Sequence, residues 1–426
     1  MRAPILKHVL RTLRSQWWSA QRVAAWQERA LVETMRHACI HVPFYRDLGI
    51  DPAGITSGAD LQRFPLIRKR DLQADAGRFL ADGVDAANLR SSRTSGSTGE
   101  PTVTYFDADT WALTKYALKI RRTLAATSPL FRRCLIVSEQ PPAEAAAYSR
   151  ERPFSAARLY SERVVSLFED MTTHRGAIAD FRPDMLYAFP SYLLELERSY
   201  AQAGEPVPRI PVIFTSSEVL TPRVRARIEG AFDARIHDIY GSTEFKEVAW
   251  QCSDGRYHLN FESVHLSISP VTSGAAPEDG SYGNLVLTTL CNRAMPLLRF
   301  QTGDLGAVDD SATCPCGRRS PQLSLVSGRE GDVLLLPDGK RLSPYLLTTV
   351  IETLPGIHQY QIRHDTPTRL TVQFVAPATP GVHTLETCRR RLCELLGGRL
   401  DVTLERVQRF ERGPGGKHKV FVREFE

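Results

Sequence analysis

The chain has 426 residues, too long for one ordinary core and suited to one large domain plus a smaller one. Hydrophobic residues at 42% and charged residues at 24% exclude a disordered chain and a membrane bundle. Fifty-four basic against 48 acidic side chains leave +6, a mild surplus without the basic stripe and interleaved aromatics that nucleic acid requires.

Lys7, Arg11 and Arg14 are scattered among apolar residues at the start, without a signal-peptide pattern, so a cytoplasmic protein is expected. No apolar stretch approaches the roughly 20 residues of a membrane span. The Trp17-Trp18 segment reads as a helix packed on its own domain, with contact to a surface or partner as the other reading. The oligomeric state is left open, a homodimer being one allowed assembly.

Residues 1–90 are expected to form a helical collar, with apolar positions at Leu31, Met35 and Ile40, a break at Pro43 and a turn-rich stretch from Asp51 to Pro65. Residues 91–245 alternate short apolar, β-branched runs with helices. The runs are Arg132 to Val137, Met185 to Phe189, Val212 to Thr215 and Arg235 to Ile239, which predict an α/β core with a mostly parallel sheet. Residues 246–330 read as a β-rich part, with antiparallel strands at Tyr257 to Ile268 and Asn284 to Leu290. Residues 331–426 read as a small C-terminal domain whose first feature is a hairpin at Asp338-Gly339.

Five short segments carry chemistry. Ser95-Gly96-Ser97-Thr98-Gly99 combines glycines, which let backbone approach an anion, with hydroxyls that donate to phosphate oxygens. Alone it is also a Gly/Ser surface turn, and it lacks the Gly-Lys-Ser/Thr end of a Walker loop. Asp238 to Glu244 ends a predicted strand, where open α/β sheets bind ligands. There Tyr240 could stack on a purine and Glu244 could hold the magnesium that accompanies ATP. Asp304, in Arg299 to Asp304, could grip two ribose hydroxyls. Gly328 to Asp332, with Arg329, and the tail Gly413 to Lys419 complete the order.

Eight cysteines without a signal peptide do not suggest a disulfide framework. Cys39, Cys134, Cys388 and Cys393 read as plain buried thiols. Cys252, His258, Cys314 and Cys316 offer three thiols and one imidazole, a tetrahedral structural zinc set. His265 and Cys291 are the substitutes, and a redox role for the Cys-x-Cys pair is the competing reading.

The order and separations of the five segments resemble the adenylate-forming superfamily of acyl-CoA synthetases, in its phenylacetate-CoA ligase branch with its polysaccharide-biosynthesis relatives. The resemblance implies an α/β fold: a large N-terminal domain of layered sheets and helices with a β-rich subdomain (1–330), and a small mobile α+β lid (331–426). It implies ATP-dependent conversion of a carboxylic acid to an acyl-adenylate with release of pyrophosphate, then transfer to a thiol, coenzyme A foremost. An amine or a carrier-protein thiol is the alternative acceptor, and a non-catalytic nucleotide binder the reading of a different class.

Carried over by residue, Ser95, Gly96, Ser97, Thr98 and Gly99 hold the triphosphate, while Ser217 and Glu218 lie beside the adenine. Tyr240, with Gly241 and Ser242, forms the adenine wall. Thr243 contacts the α-phosphate and Glu244 binds magnesium. Asp304 holds the ribose, Arg329 assists near ribose and phosphate, and Lys417 is the mobile catalytic lysine, with Lys419 competing. The same resemblance places the hinge within Glu330 to Asp332, the Gly339 turn beside the thiol channel, and Tyr187, Phe189, Pro190 and Ser191 at the acyl-pocket wall. It also favours zinc at the four-residue cluster. Glu139 to Ala143 lacks the glycines that aryl-CoA ligases carry at this place, which argues against phenylacetate itself.

Overall fold

The computed structural model describes residues 3–93, 102–127, 132–150, 160–270, 283–311, 313–329, 334–339, 341–342, 344, 347–410 and 418–425. Helices Ala3–Ser15 and Ala20–His41 open the chain. The second buries Val23, Leu31, Met35 and Ala38, apolar residues at helical spacing. Ser19 caps its first turn by accepting from the Arg22 amide at 3.3 Å. It stops at Val42, because the residue before Pro43 is pushed into the extended region.

Strands β1 (Arg90–Arg93) and β2 (Val103–Phe106) form an antiparallel pair whose connection is the 94–101 segment, outside the described residues. The helical stretch Ala108 to Ala126 follows, π-helical at Ala112–Ala117. The next strands are β3 (Arg132–Ser138), β4 (Tyr160–Ser166), β5 (Met185–Ala188), β6 (Val212–Ser216) and β7 (Arg235–Ser242). They run parallel in the order β4-β3-β5-β6-β7. All five residues of β6 are buried, the signature of a strand covered on both faces.

The second half of the large unit continues this sheet instead of forming a separate layer. Here the strands are β8 (Lys246–Gln251), β9 (Tyr257–Leu259), β10 (Val264–Ser269), β11 (Gly283–Thr289), β12 (Phe300–Asp309) and β13 (Gln322–Arg329). They extend it antiparallel from β7, in the order β8-β9-β13-β12-β11-β10. The run expected from Tyr257 to Ile268 is therefore two strands. Polar residues interrupt it: buried Glu262 receives Arg121 Nη1 at 2.7 Å and Ser15 Oγ at 2.5 Å, and the Arg121 guanidinium also meets Asn260. This network ties the first helix and the 118–126 helix to the antiparallel half.

Further on, β14 (Leu334–Leu335) and β15 (Arg341–Leu342) pair across Gly339, whose φ of +80° suits glycine at the turn. Four strands follow: β16 (Gln359–Thr366), β17 (Arg369–Val375), β18 (Asp401–Arg406) and β19 (Phe421–Arg423), in the order β18-β17-β16-β19. The helix Val382–Leu395 contributes Cys388 and Leu392 to the core of Leu334, Ile362, Val372, Phe374 and Phe421.

Candidate active site

Because β5, β6 and β7 are parallel, Ala188, Ser216 and Ser242 all lie at one edge of the sheet, the carboxyl ends of the strands. β7 is also where parallel pairing gives way to antiparallel pairing. Such an edge collects ligand-binding side chains on the loops that leave it.

The β7–β8 turn carries Tyr240, Gly241, Ser242, Thr243 and Glu244. A bulge between Tyr240 and Gly241 brings the backbones close enough that a Cβ at Gly241 would lie 2.3 Å from the Lys246 carbonyl oxygen. Glycine is required there by contact. The Tyr240 hydroxyl donates to Asp304 Oδ2 at 2.8 Å, so the residues expected beside adenine and ribose meet although they come from strands β7 and β12. Arg329 pairs in register with Asp304 across β12 and β13. Glu244 is buried and Thr243 half-buried, while the Ser242 hydroxyl accepts from the Phe245 amide at 3.2 Å and tightens the turn. Ser95 to Gly99 and Lys417 lie outside the described residues.

Ser217 is exposed in the left-handed region at φ +71°. Glu218, next to it, is the hub of a contact between the large and small units. It accepts from the Ser191 amide at 2.8 Å, the Ser191 hydroxyl at 2.7 Å and the His418 amide at 3.3 Å. His418 Nε2 lies 2.7 Å from the Tyr360 carbonyl oxygen and its ring 4.8 Å from that of Phe410, which orients the residue next to Lys417. The same face is sealed by Thr221 Oγ1 on Glu352 (2.8 Å) and Arg227 Nη1 on the Ile357 carbonyl (2.8 Å). Of the expected acyl wall, Tyr187 bonds Ser216 Oγ at 2.6 Å and Phe189 packs in the core.

Below the turn, Asp238 is buried with Thr215 Oγ1 at 2.5 Å and the Tyr257 hydroxyl as donors. Desolvation pushes its carboxyl up to about 6 against those hydrogen bonds. Lys246 is pushed down to about 7, mainly by burial and further by the Lys115 ammonium. Neither lysine belongs to any motif visible in the sequence.

Cys252, His258, Cys314 and Cys316 place four ligand atoms within 4.8 Å of one another. Cys252 Sγ lies 3.6 Å from Cys314 Sγ, and Cys316 Sγ lies 3.3 Å from His258 Nε2. Zinc–sulfur bonds of about 2.3 Å in a tetrahedron separate two sulfurs by roughly 3.8 Å, close to the Cys252–Cys314 spacing, so the donor set suits zinc. His258 Nδ1 is held by Ser320 Oγ at 3.0 Å, the outer contact that fixes a ligating imidazole and one the sequence did not single out. Burial, with Arg318 and Arg121 nearby, lowers His258 to about 4 and keeps it neutral. Cys291 and His265, the substitutes, lie elsewhere: Cys291 Sγ meets the Ser263 carbonyl and His265 faces Gln27. Cys39, Cys134 and Cys388 are buried, and Cys393 is half-buried.

A parallel-to-antiparallel sheet with a ligand edge at its switch point, faced by a small α+β unit that brings in His418, is the architecture of an adenylate-forming enzyme. Comparison with known proteins agrees. A phenylacetate-coenzyme A ligase from Aromatoleum evansii is 30% identical over 372 residues, 82% of this chain and 79% of that one. Another, from Thermus thermophilus, is 27% identical over 434 residues, 93% of this chain and 95% of its own. The chain belongs to the phenylacetate-CoA ligase family. Among solved structures, 2-hydroxyisobutyryl-CoA ligase in its postadenylation state aligns with a TM-score of 0.75 at 19% identity, covering 94% of this chain and 90% of that one. In its thioesterification state the same ligase scores 0.58. No protein-family model matches the chain.

Proposed function

We propose that this enzyme activates a carboxylic acid with ATP and passes the acyl group to coenzyme A. The observation that carries the reading is the Glu218–His418 contact, which holds His418 at the carboxyl end of the parallel strands, the edge that also carries Tyr240. Its support is family membership over most of the chain, the names of the phenylacetate-coenzyme A ligase relatives, and the closer likeness to a postadenylation structure.

In the first step a carboxylate oxygen of the acid attacks the α-phosphorus. The bond to the bridging oxygen breaks and pyrophosphate leaves. Two anions meet in that step, so a cation brought to the α-phosphate lowers the barrier. Lys417 is assigned that role because its neighbour His418 is anchored on Glu218. Tyr240 and Asp304 position adenine and ribose, Thr243 contacts the α-phosphate, and Ser95, Ser97 and Thr98 hold the departing phosphates. Magnesium held by Glu244 would neutralise phosphate charge. In the second step the thiol sulfur attacks the acyl carbon, AMP leaves, and the thiol proton passes to solvent. Residues 331–426 act as the lid that turns between the two steps about Glu330 to Asp332, withdrawing Lys417.

Zinc bound by Cys252, His258, Cys314 and Cys316 serves the fold, since the cluster is closed by four protein ligands. Among the described residues no helix is long and apolar enough to cross a membrane. We assign the enzyme to the cytoplasm, where ATP and coenzyme A are supplied. The test is acid-dependent pyrophosphate release with and without coenzyme A, hydroxylamine serving as the alternative acceptor. Capture of the acyl group by hydroxylamine but not by coenzyme A would overturn the choice of acceptor.

A further inference from the structure

Two lysines that the reaction above does not use converge on one aromatic wall. Lys246 Nζ lies 4.6 Å from the Phe106 ring centre and 5.3 Å from that of Trp111. Lys115 Nζ lies 5.7 Å from the same Trp111 ring. Both lysines are half-buried, and Phe106 is buried.

The backbone is specialised at both positions. Lys115 sits in the π-helical segment Ala112–Ala117, a rare geometry that recurs at functional sites. Lys246 has φ +64°, a left-handed conformation costly for a residue other than glycine, and it follows the bulged turn that Gly241 permits. Like charges repel, and half-burial deprives them of water. Yet among the described residues neither lysine has a carboxylate within salt-bridge distance. Glu247, next to Lys246 in the chain, is engaged by Arg122 at 3.1 Å. Glu244 is the acid whose field favours the Lys246 charge.

Phe106 ends strand β2, four residues beyond Thr102. Lys246 pairs in register with Ser242, at the ligand edge of β7.

We propose that Lys115 and Lys246, held over the rings of Phe106 and Trp111, form a subsite for a second carboxylate on the acid substrate, so that the enzyme selects dicarboxylic acids. This rests on the functional reading above and adds a substrate class to it. A charge-assisted contact in a half-desolvated site contributes roughly ten-fold or more in affinity.

The test uses the full chain and matched acids, phenylacetate against 1,4-phenylenediacetate and hexanoate against adipate, with binding measured by calorimetry and turnover by pyrophosphate release. The wild type should bind the diacid of each pair at least ten-fold more tightly. Lys246→Met should bring that ratio close to one, Lys115→Met should lower it, and Lys246→Arg should keep it. Equal binding of the two acids by the wild type, or an undiminished ratio in both methionine variants, overturns the proposal. Diacid-selective binding without pyrophosphate release from any acid would leave the subsite standing and sink the ligase reading. Pyrophosphate release with a preference for the monoacids would do the reverse.

Discussion

Replacing Glu218 by glutamine keeps the shape of the side chain and removes the charge that gathers Ser191 and His418. The carboxylate accepts at 2.8, 2.7 and 3.3 Å, and an amide has one acceptor oxygen where the carboxylate has two. One donor of Ser191 or His418 would then face an N–H group. Hydrogen bonds to a charged acceptor contribute about 1.5–3 kcal/mol against about 1 for neutral ones. Glu218 is half-exposed, so the low end applies and docking of the tail weakens by about 1–2 kcal/mol, roughly five- to thirty-fold. Pyrophosphate release should fall by that factor. Thioester formation from preformed acyl-adenylate and coenzyme A should stay within about two-fold, because Lys417 has then left the site. An equal loss in both half-reactions, or no loss in the first, would refute the anchoring role.

Three further outcomes follow from the geometry. Metal analysis of purified enzyme should find about one zinc per chain, and Cys314→Ser should lose it with a fall in melting temperature; well under one equivalent in the wild type removes the site. Glu262→Ala leaves buried Arg121 without its counter-ion and should cost about 3–5 kcal/mol in denaturant unfolding, whereas a cost below about 1 kcal/mol would mean that the ion pair does not form in solution. His364 is fully buried, its ring nitrogens have no hydrogen-bond partner among the described residues, and desolvation together with Arg423 lowers it to about 4. Its depressed value makes the neutral form contribute stability that is present above pH 6.5 and lost as pH falls toward 4. Between pH 7.5 and 4.5 this loss is about 2–3 kcal/mol, and a His364→Leu variant should lack it. An identical acid dependence in both proteins contradicts the assignment.

The parallel half of the sheet was legible because strands covered on both faces must be apolar runs, as Met185–Ala188 and Val212–Ser216 are. The antiparallel half was legible as strands but not as a continuation of the same sheet, since pairing partners are not written in local periodicity. The division at residues 260–263 was missed because Glu262 passes for the polar position of an alternating strand, and only its distant partner Arg121 shows that it is buried. Motifs held in consecutive residues, such as Tyr240 to Glu244 or Cys314 to Cys316, could be singled out directly. Contacts assembled over long separations could not: Ser191, Glu218 and His418 are 27 and 200 residues apart. Lys246 was missed for a different reason, its aim being set by a bulge and a left-handed backbone that the one-letter sequence does not announce.

The central claim is acid activation at the expense of ATP, with Lys417 as the group that reaches the α-phosphate. It is tested most directly by pyrophosphate release from magnesium-ATP across a panel of mono- and dicarboxylic acids, wild type beside Lys417→Ala. The account predicts release only when an acceptable acid is present, lowered at least a hundred-fold in the variant while nucleotide binding persists. Nucleotide binding with no release for any acid, or a Lys417→Ala variant as fast as the wild type, would contradict it.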